Sequence, residues 1–169
     1  SEDGFGGYEA PPVLFWNDFA NRGGENEWYT AFANAGKIRG QDYDIYYTNG
    51  PSSGVGNGIG GKAGSDLVLE LYTDMLYTAG DLGTNTICNG DFANNGGSDD
   101  AGVLTSWLLQ GGKHLFITGD DVSSDLAING GTTTLAFAET WMGVSFQQQD
   151  IRSFIDNQAT PVVKAAVGN

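Results

Sequence analysis

The chain has 169 residues, of which 40% are hydrophobic, and its 21 acidic and 7 basic side chains give a formal net charge of −14. This length and composition predict one domain with its own core. So acidic a chain argues against nucleic acid as a partner, because phosphates require a basic surface, and against anionic membrane surfaces. No apolar run approaches the roughly 18 residues of a membrane span.

The polar residues of the chain bear on its location. Glycine accounts for 27 residues and charged side chains for only 17%, below the roughly one quarter that is usual. A polar surface made of Gly, Asn, Ser and Thr, with little Lys, is typical of exported proteins. We therefore expect an extracellular or cell-surface location. The single cysteine, Cys88, excludes an internal disulfide but does not decide the compartment.

In chain order, residues 1–12 are rich in glycine and acids and end in Pro11-Pro12, which predicts a linker or N-terminal arm. Runs with the length and composition of strands follow at residues 13–16, 44–48, 74–79, 113–118 and 144–146. Stretches with helical spacing lie between them at residues 25–35, 65–71, 100–110 and 132–142. Gly36 and Gly143 follow two of these stretches directly and predict where those helices end.

Strands that alternate with helices predict an α/β fold. We expect a three-layer, doubly wound sheet, mostly parallel, of about five strands in the flavodoxin-like order 2-1-3-4-5. The predicted domain spans residues 13–160. Residues 161–169 are a predicted tail, with Val162-Val163 as a candidate edge strand and a further domain after it as one option. Residues 113–121 are the predicted centre of the sheet, a buried strand that runs into an acidic turn.

Three of the predicted strands end in acidic turns, which contain Asp18, Asp81, Asp120 and Asp121. The carboxyl ends of neighbouring parallel strands meet at one edge of the sheet, so we expect these carboxylates to converge. Clustered carboxylates repel one another unless a cation or a proton intervenes, and oxygen ligands suit Ca²⁺ or Mg²⁺. The sequence therefore predicts a divalent-metal site or a polar cleft. Asp is also an ordinary residue of turns and helix caps, and that interpretation stays open.

Two loops resemble ligand-binding motifs without matching them. Residues 56–62 fit G-x-G-x-x-G and nearly a P-loop, but Ala63 stands where the P-loop requires Ser or Thr for Mg²⁺. We expect this loop to be a flap beside the cleft. Residues 89–100 are rich in Asp and Asn but lack the spacing of an EF-hand. They are interpreted as a solvated loop.

Nucleophilic catalysis is not indicated. His114, the only histidine, precedes the fourth predicted strand and so lies at the end of the sheet opposite the expected cleft. A Ser-His or Cys-His system requires the histidine beside its nucleophile. Cys88 follows the third predicted strand without a local partner and is interpreted as a structural cysteine.

Several stretches occur in an order typical of a known domain: Asn17-Asp18, residues 47–54, residues 76–82, residues 104–108 and residues 111–121. Over roughly residues 13–160 the chain resembles a flavodoxin-like domain of large secreted bacterial proteins. Such domains are similar in turn to the class I glutamine amidotransferase-like superfamily. That superfamily has a nucleophilic Cys in the turn where this chain has Asp120 and Asp121, and a late His that this chain lacks. The resemblance implies a scaffold without the catalytic triad, beside peptidase, sugar-binding or immunoglobulin-like modules.

Three functions remain open at this point. The expected function is that of a non-catalytic extracellular α/β module that binds a ligand, a partner or a cation. One alternative is a metal-dependent hydrolase that uses the acidic strand ends and a metal-bound water. The other is a self-assembling subunit of an extracellular filament or layer. The expected partners are neighbouring domains of a larger secreted protein or further copies of the chain, and the only expected cofactor is Ca²⁺ or Mg²⁺.

Overall fold

The computed structural model describes residues 9–18, 24–48, 55–61 and 69–146, together with the backbone of residues 154–155 and 158–159. The strands are β1 (Val13–Asn17), β2 (Tyr43–Tyr47), β3 (Asp74–Thr78), β4 (His114–Thr118), β5 (Phe154–Ile155) and β6 (Gln158–Ala159). The α-helices are α1 (Glu25–Asn34), α2 (Asp100–Leu109), α3 (Val122–Ile128) and α4 (Gly131–Phe137). A 3₁₀ turn spans Ile59–Gly61, and a π-helical turn, Ala138–Met142, continues α4.

Four of the strands form one parallel sheet in the order β2-β1-β3-β4. Phe15 of β1 lies opposite Ile45 and Leu76 in its two neighbours, and Leu76 lies opposite Phe116. β5 and β6 form a separate antiparallel pair. The predicted α/β class and the first four strands of the predicted order are confirmed.

Helices cover both faces of this sheet, which gives three layers. On one face, residues of α2, α3 and α4 pack with Leu14, Trp16, Met75 and Tyr77 in the larger core cluster. On the other face, α1 packs its aromatic residues around Phe15 in a smaller cluster. Side chains alternate between the faces of a strand, so β1, β2 and β3 contribute to both clusters, whereas β4 contributes only Leu115 and Ile117 to the larger one.

A capping side chain and two glycines set several of the helix ends. The Asp99 carboxylate accepts a hydrogen bond of 3.0 Å from the Gly102 N–H and caps α2. Gly36 and Gly143, with φ of 69° and 65°, end the helices before them in a conformation that favours glycine. α3 was not predicted, because its buried side chains include polar Ser124 and Asp125 as well as apolar ones. None of the helices in the described ranges is long and apolar enough to cross a bilayer.

Two predictions about the sheet are wrong. Residues 144–146 do not form a fifth strand, since the chain leaves the π-helical turn at Gly143 and Val144 lines a groove next to β4 instead of pairing with it. β4 is therefore the edge strand of the described sheet and not its buried centre. Residues 1–8 of the predicted arm (1–12), residues 65–68 of the predicted helix at 65–71 and the predicted tail at 161–169 lie outside the described residues.

Candidate functional site

The four aspartates predicted as metal ligands lie in different environments. Asp18 is fully buried at the end of β1, where its Oδ2 accepts a hydrogen bond of 2.7 Å from the Tyr77 hydroxyl. Asp81 and Asp120 are exposed in surface turns. Asp121 precedes α3, and its backbone oxygen accepts a bond of 2.9 Å from the Ser124 hydroxyl. Among the described residues, no three His, Cys, Asp or Glu side chains are grouped so that they could hold a metal ion. The metal site stays a prediction.

Two other aspartates are buried carboxylates: Asp100, at the end of the Asn- and Asp-rich loop, and Asp125, which the sequence did not single out. Asp100 accepts backbone hydrogen bonds from Gly60 (2.8 Å) and Cys88 (3.1 Å). Asp125 accepts bonds of 2.8 Å from both the N–H and the hydroxyl of Thr86. A buried carboxylate is stable only when such donors replace the water that it loses. Both aspartates thus fasten loops together at the carboxyl end of the sheet.

The buried carboxylates keep neighbouring acidic groups protonated. Burial raises the pKa of the Tyr77 hydroxyl, and the negative charges of Asp18, Asp100 and Asp125 raise it further. Burial and the same three charges raise the pKa of the Cys88 thiol. The thiol is fully buried, and its Sγ donates to the Asn95 carbonyl oxygen at 3.3 Å. A nucleophilic cysteine requires a lowered pKa and access to solvent, so Cys88 has the properties of a structural residue.

The glycine-rich loop is held by a carboxylate of the protein itself. The Gly60 N–H, which a phosphate-binding loop would direct at its ligand, donates to Asp100. A Cβ on Gly60 would overlap the backbone of Asp99, so close packing explains this glycine. Ile59 is 3% exposed and belongs to the larger core cluster. The described part of the loop, residues 55–61, is therefore attached to the core through Ile59 and Gly60 and is not a free flap.

The Asn- and Asp-rich loop at residues 89–100 is closed by its own hydrogen bonds. Asp91 accepts bonds from the Asn94 side chain (2.7 Å) and from the Ala93 N–H (3.1 Å). The bond from Asn94 is the main reason why the pKa of Asp91 lies below its usual range. The Asn95 side chain accepts a bond of 2.7 Å from the Asn89 N–H. These oxygens satisfy the backbone of the loop itself.

His114 lies at the amino end of β4, as predicted. Its Nδ1 is 3.0 Å from Asp74 Oδ1, and both side chains are largely exposed. The buried thiol of Cys88 follows the carboxyl end of β3, at the other end of the sheet. The two groups cannot form a nucleophile–base pair, because such a pair requires contact within hydrogen-bonding distance.

An open groove in the described residues lies at the outer edge of β4. It is a groove of about 520 Å³ whose apolar wall consists of Leu108, Leu115, Phe116, Ile117, Trp141, Met142 and Val144. Phe116 is 54% exposed and Trp141 36% exposed. The wall includes Lys113 and no acidic residue, although the chain carries 21 acids. An apolar patch without acids on so acidic a protein indicates an interaction site.

The backbone of β4 presents unused hydrogen-bonding groups to this groove. The His114 N–H donates to Thr73 and the Thr118 carbonyl accepts from Ala79, so the backbone groups of residues 114, 116 and 118 point toward β3. The groups of Leu115 and Ile117 point the opposite way, because direction alternates along a strand. No strand of the described residues pairs with that side. The groove thus combines apolar side chains with two N–H donors and two C=O acceptors.

The sequence contained a weak signal for this groove. Phe116 shares one face of β4 with the polar residues His114 and Thr118, whereas Leu115 and Ile117 lie on the other face. This is the pattern of a strand with one solvated face. The apolar run of residues 115–117 is so short that it also fits a strand buried on both faces. The prediction of a buried central strand rested on this apolar run and on the turn residues that bound it.

Comparison with protein-family models, with curated proteins and with solved structures finds no match for this chain.

Proposed function

We propose that this chain is a non-catalytic α/β module that binds an extended, largely apolar protein segment along β4. The observation that carries the proposal is the coincidence of an apolar groove with the side of β4 that no strand in the described ranges pairs with. An extended segment gains main-chain hydrogen bonds from such an edge, and its alternate side chains enter the groove. An extracellular or cell-surface location is part of the proposal and is supported by composition alone.

The shape and chemistry of the groove favour a segment over a small polar ligand. Its wall is mainly aliphatic and aromatic, and its one charged residue is already engaged. The Lys113 ammonium group donates to the backbone oxygens of Glu70 (3.1 Å) and Tyr72 (2.7 Å) and lies over the Trp107 ring. The directional polar groups that remain are those of the β4 backbone, and these match another strand.

A binding function also agrees with the state of the acidic and thiol groups at the carboxyl end of the sheet. There, Asp18 and Asp100 accept hydrogen bonds from the protein, and the Cys88 thiol is buried and held neutral. A metal-dependent hydrolase would require carboxylates that face a bound cation and a water. The proposal therefore favours binding over hydrolysis, and assembly of copies through the same edge is one outcome of its test.

The proposal is tested with a fluorescein-labelled hexapeptide of alternating Val and Thr. We expect saturable binding to the chain by fluorescence anisotropy, and at least about a tenfold loss, or about 1.4 kcal/mol, for Phe116→Asp. Phe92→Asp is the matched control, because Phe92 is 74% exposed and is not part of the groove wall. Equal binding by both variants, or no binding by the wild-type chain, would refute the proposal.

A second variant removes the backbone donor. Leu115→Pro deletes an N–H that points away from β3, so the pairing of β4 with β3 is preserved. We expect peptide binding to fall while the circular dichroism spectrum is retained. Light scattering at high protein concentration tests whether the partner is a second copy of the chain. A dimer that forms with the wild-type chain and is lost with Phe116→Asp would identify a second copy as the partner.

A further inference from the structure

The groove beside β4 matches a segment of this same chain. Residues 162–167 read Val-Val-Lys-Ala-Ala-Val and stand between Pro161 and Gly168. A short apolar run with β-branched residues, bounded by Pro and Gly, has the composition of a strand. These six residues lie outside the described part of the chain, so the argument uses their sequence and the geometry of β4.

We propose that residues 162–167 occupy the groove in cis as a further strand on β4 and compete there with partner segments. This inference rests on the proposed function of the groove, since it names the segment that regulates that site. The length is suitable, because six residues extend over about 20 Å and the five residues of β4 over about 17 Å.

The alternation of residues 162–167 fits an edge strand. Val163, Ala165 and Val167 share one face, and Lys164 lies on the other between Val162 and Ala166. The first face is wholly apolar and suits the groove wall. A lysine on the opposite face is a common protection of sheet edges against aggregation. The segment therefore provides what the edge of β4 lacks, namely backbone partners, apolar side chains and a charged outer side.

The connection is long enough and raises the local concentration of the segment. Val144 lines the groove, and 17 residues separate it from Val162. Because β5 and β6 pair antiparallel within this stretch, residues 154–159 add little to its reach. The other eleven residues, fully extended, span about 36 Å, about twice the length of β4. A tether of this length gives an effective concentration on the order of millimolar. A partner segment of similar intrinsic affinity must exceed that concentration to displace residues 162–167.

The first experiment measures amide hydrogen exchange of the full chain by NMR. If residues 162–167 pair with β4, the Leu115 and Ile117 amides exchange slowly in the wild-type chain and at least about tenfold faster in Val163→Asp. Lys164→Glu is the matched control on the opposite face and leaves both rates unchanged. Fast exchange in the wild-type chain, or equal rates in both variants, would overturn the inference.

The second experiment separates this inference from the proposed function by means of the same Val-Thr hexapeptide. Tighter binding to Val163→Asp than to the wild-type chain, by about tenfold, supports both. Equal binding to the two chains, lost with Phe116→Asp, supports the proposed function and rejects competition in cis. Exchange protection of Leu115 and Ile117 without peptide binding to any chain supports pairing in cis and rejects the proposed function.

Discussion

β1 and β4 are alike in sequence and lie in opposite environments. Each is a five-residue parallel strand with phenylalanine in its middle position, and each runs into a turn that contains aspartate. Phe15 is fully buried, whereas Phe116 is 54% exposed. Asp18 is buried after β1, whereas Asp120 is exposed after β4. The two strands differ in place, since β1 lies between two neighbours and β4 has one among the described residues.

Aromatic and acidic residues therefore have different roles at the two strands. Around β1 the helices and loops close over the sheet, so that aromatic rings and carboxylates there stabilise the fold. Around β4 similar residues remain accessible, and they are available for a partner. The comparison makes quantitative predictions, because equal substitutions in the two strands should have unequal effects.

The largest effect is expected for the middle phenylalanines. Phe15→Ala removes a ring that contacts Trp28 and Phe32 at centroid distances of 5.1 and 5.2 Å, and should lower the free energy of unfolding by about 3–5 kcal/mol. Phe116→Ala removes a half-exposed ring and should cost less than about 1 kcal/mol. Urea denaturation monitored by circular dichroism measures both. Losses of equal size would show that β4 is as enclosed as β1.

The sequence predicts the strands better than it predicts their surroundings. The apolar runs and the glycines after the helices are local signals, and they locate β1 to β4, α1 and α2 with small errors at the ends. The exposure of Phe116 depends on whether a further strand pairs with β4, which is a property of distant residues. The same limit applies to Asp100, whose role follows from Gly60 and Cys88 approaching it from two loops. The strand-end carboxylates could therefore be located from the sequence, although the metal site stays a prediction, and the groove left only a weak signal.

Substitution of the aspartates after the two strands should give a smaller difference in stability than substitution of the two phenylalanines. Asp18→Ala leaves the buried Tyr77 hydroxyl without the acceptor that it now has at 2.7 Å, and should cost about 2–4 kcal/mol. Asp120→Ala changes an exposed turn residue and should stay within about 0.5 kcal/mol. The melting temperatures of the two variants provide the measurement. A marked loss of stability for Asp120→Ala would mean that the turn after β4 is also enclosed.

The smallest effect is expected for Cys88 and appears only at alkaline pH. The enclosure of the carboxyl end of the sheet raises the pKa of the thiol above its ordinary value of 9.0. Above pH 9 the unfolded chain loses this proton while the folded chain retains it. The free energy of unfolding should therefore fall with rising pH, by up to about 1.4 kcal/mol per pH unit for this group. Urea denaturation at pH 7 to 10 should show a smaller decline in the free energy of unfolding for Cys88→Ala, because this variant lacks the thiol. The buried tyrosines, whose pKa values are also raised, still contribute to the decline in both chains. If the two chains declined equally, or if the native thiol reacted with a disulfide reagent at pH 8 as fast as the unfolded one, the region beside β1 would be open to solvent and the contrast with β4 would fail.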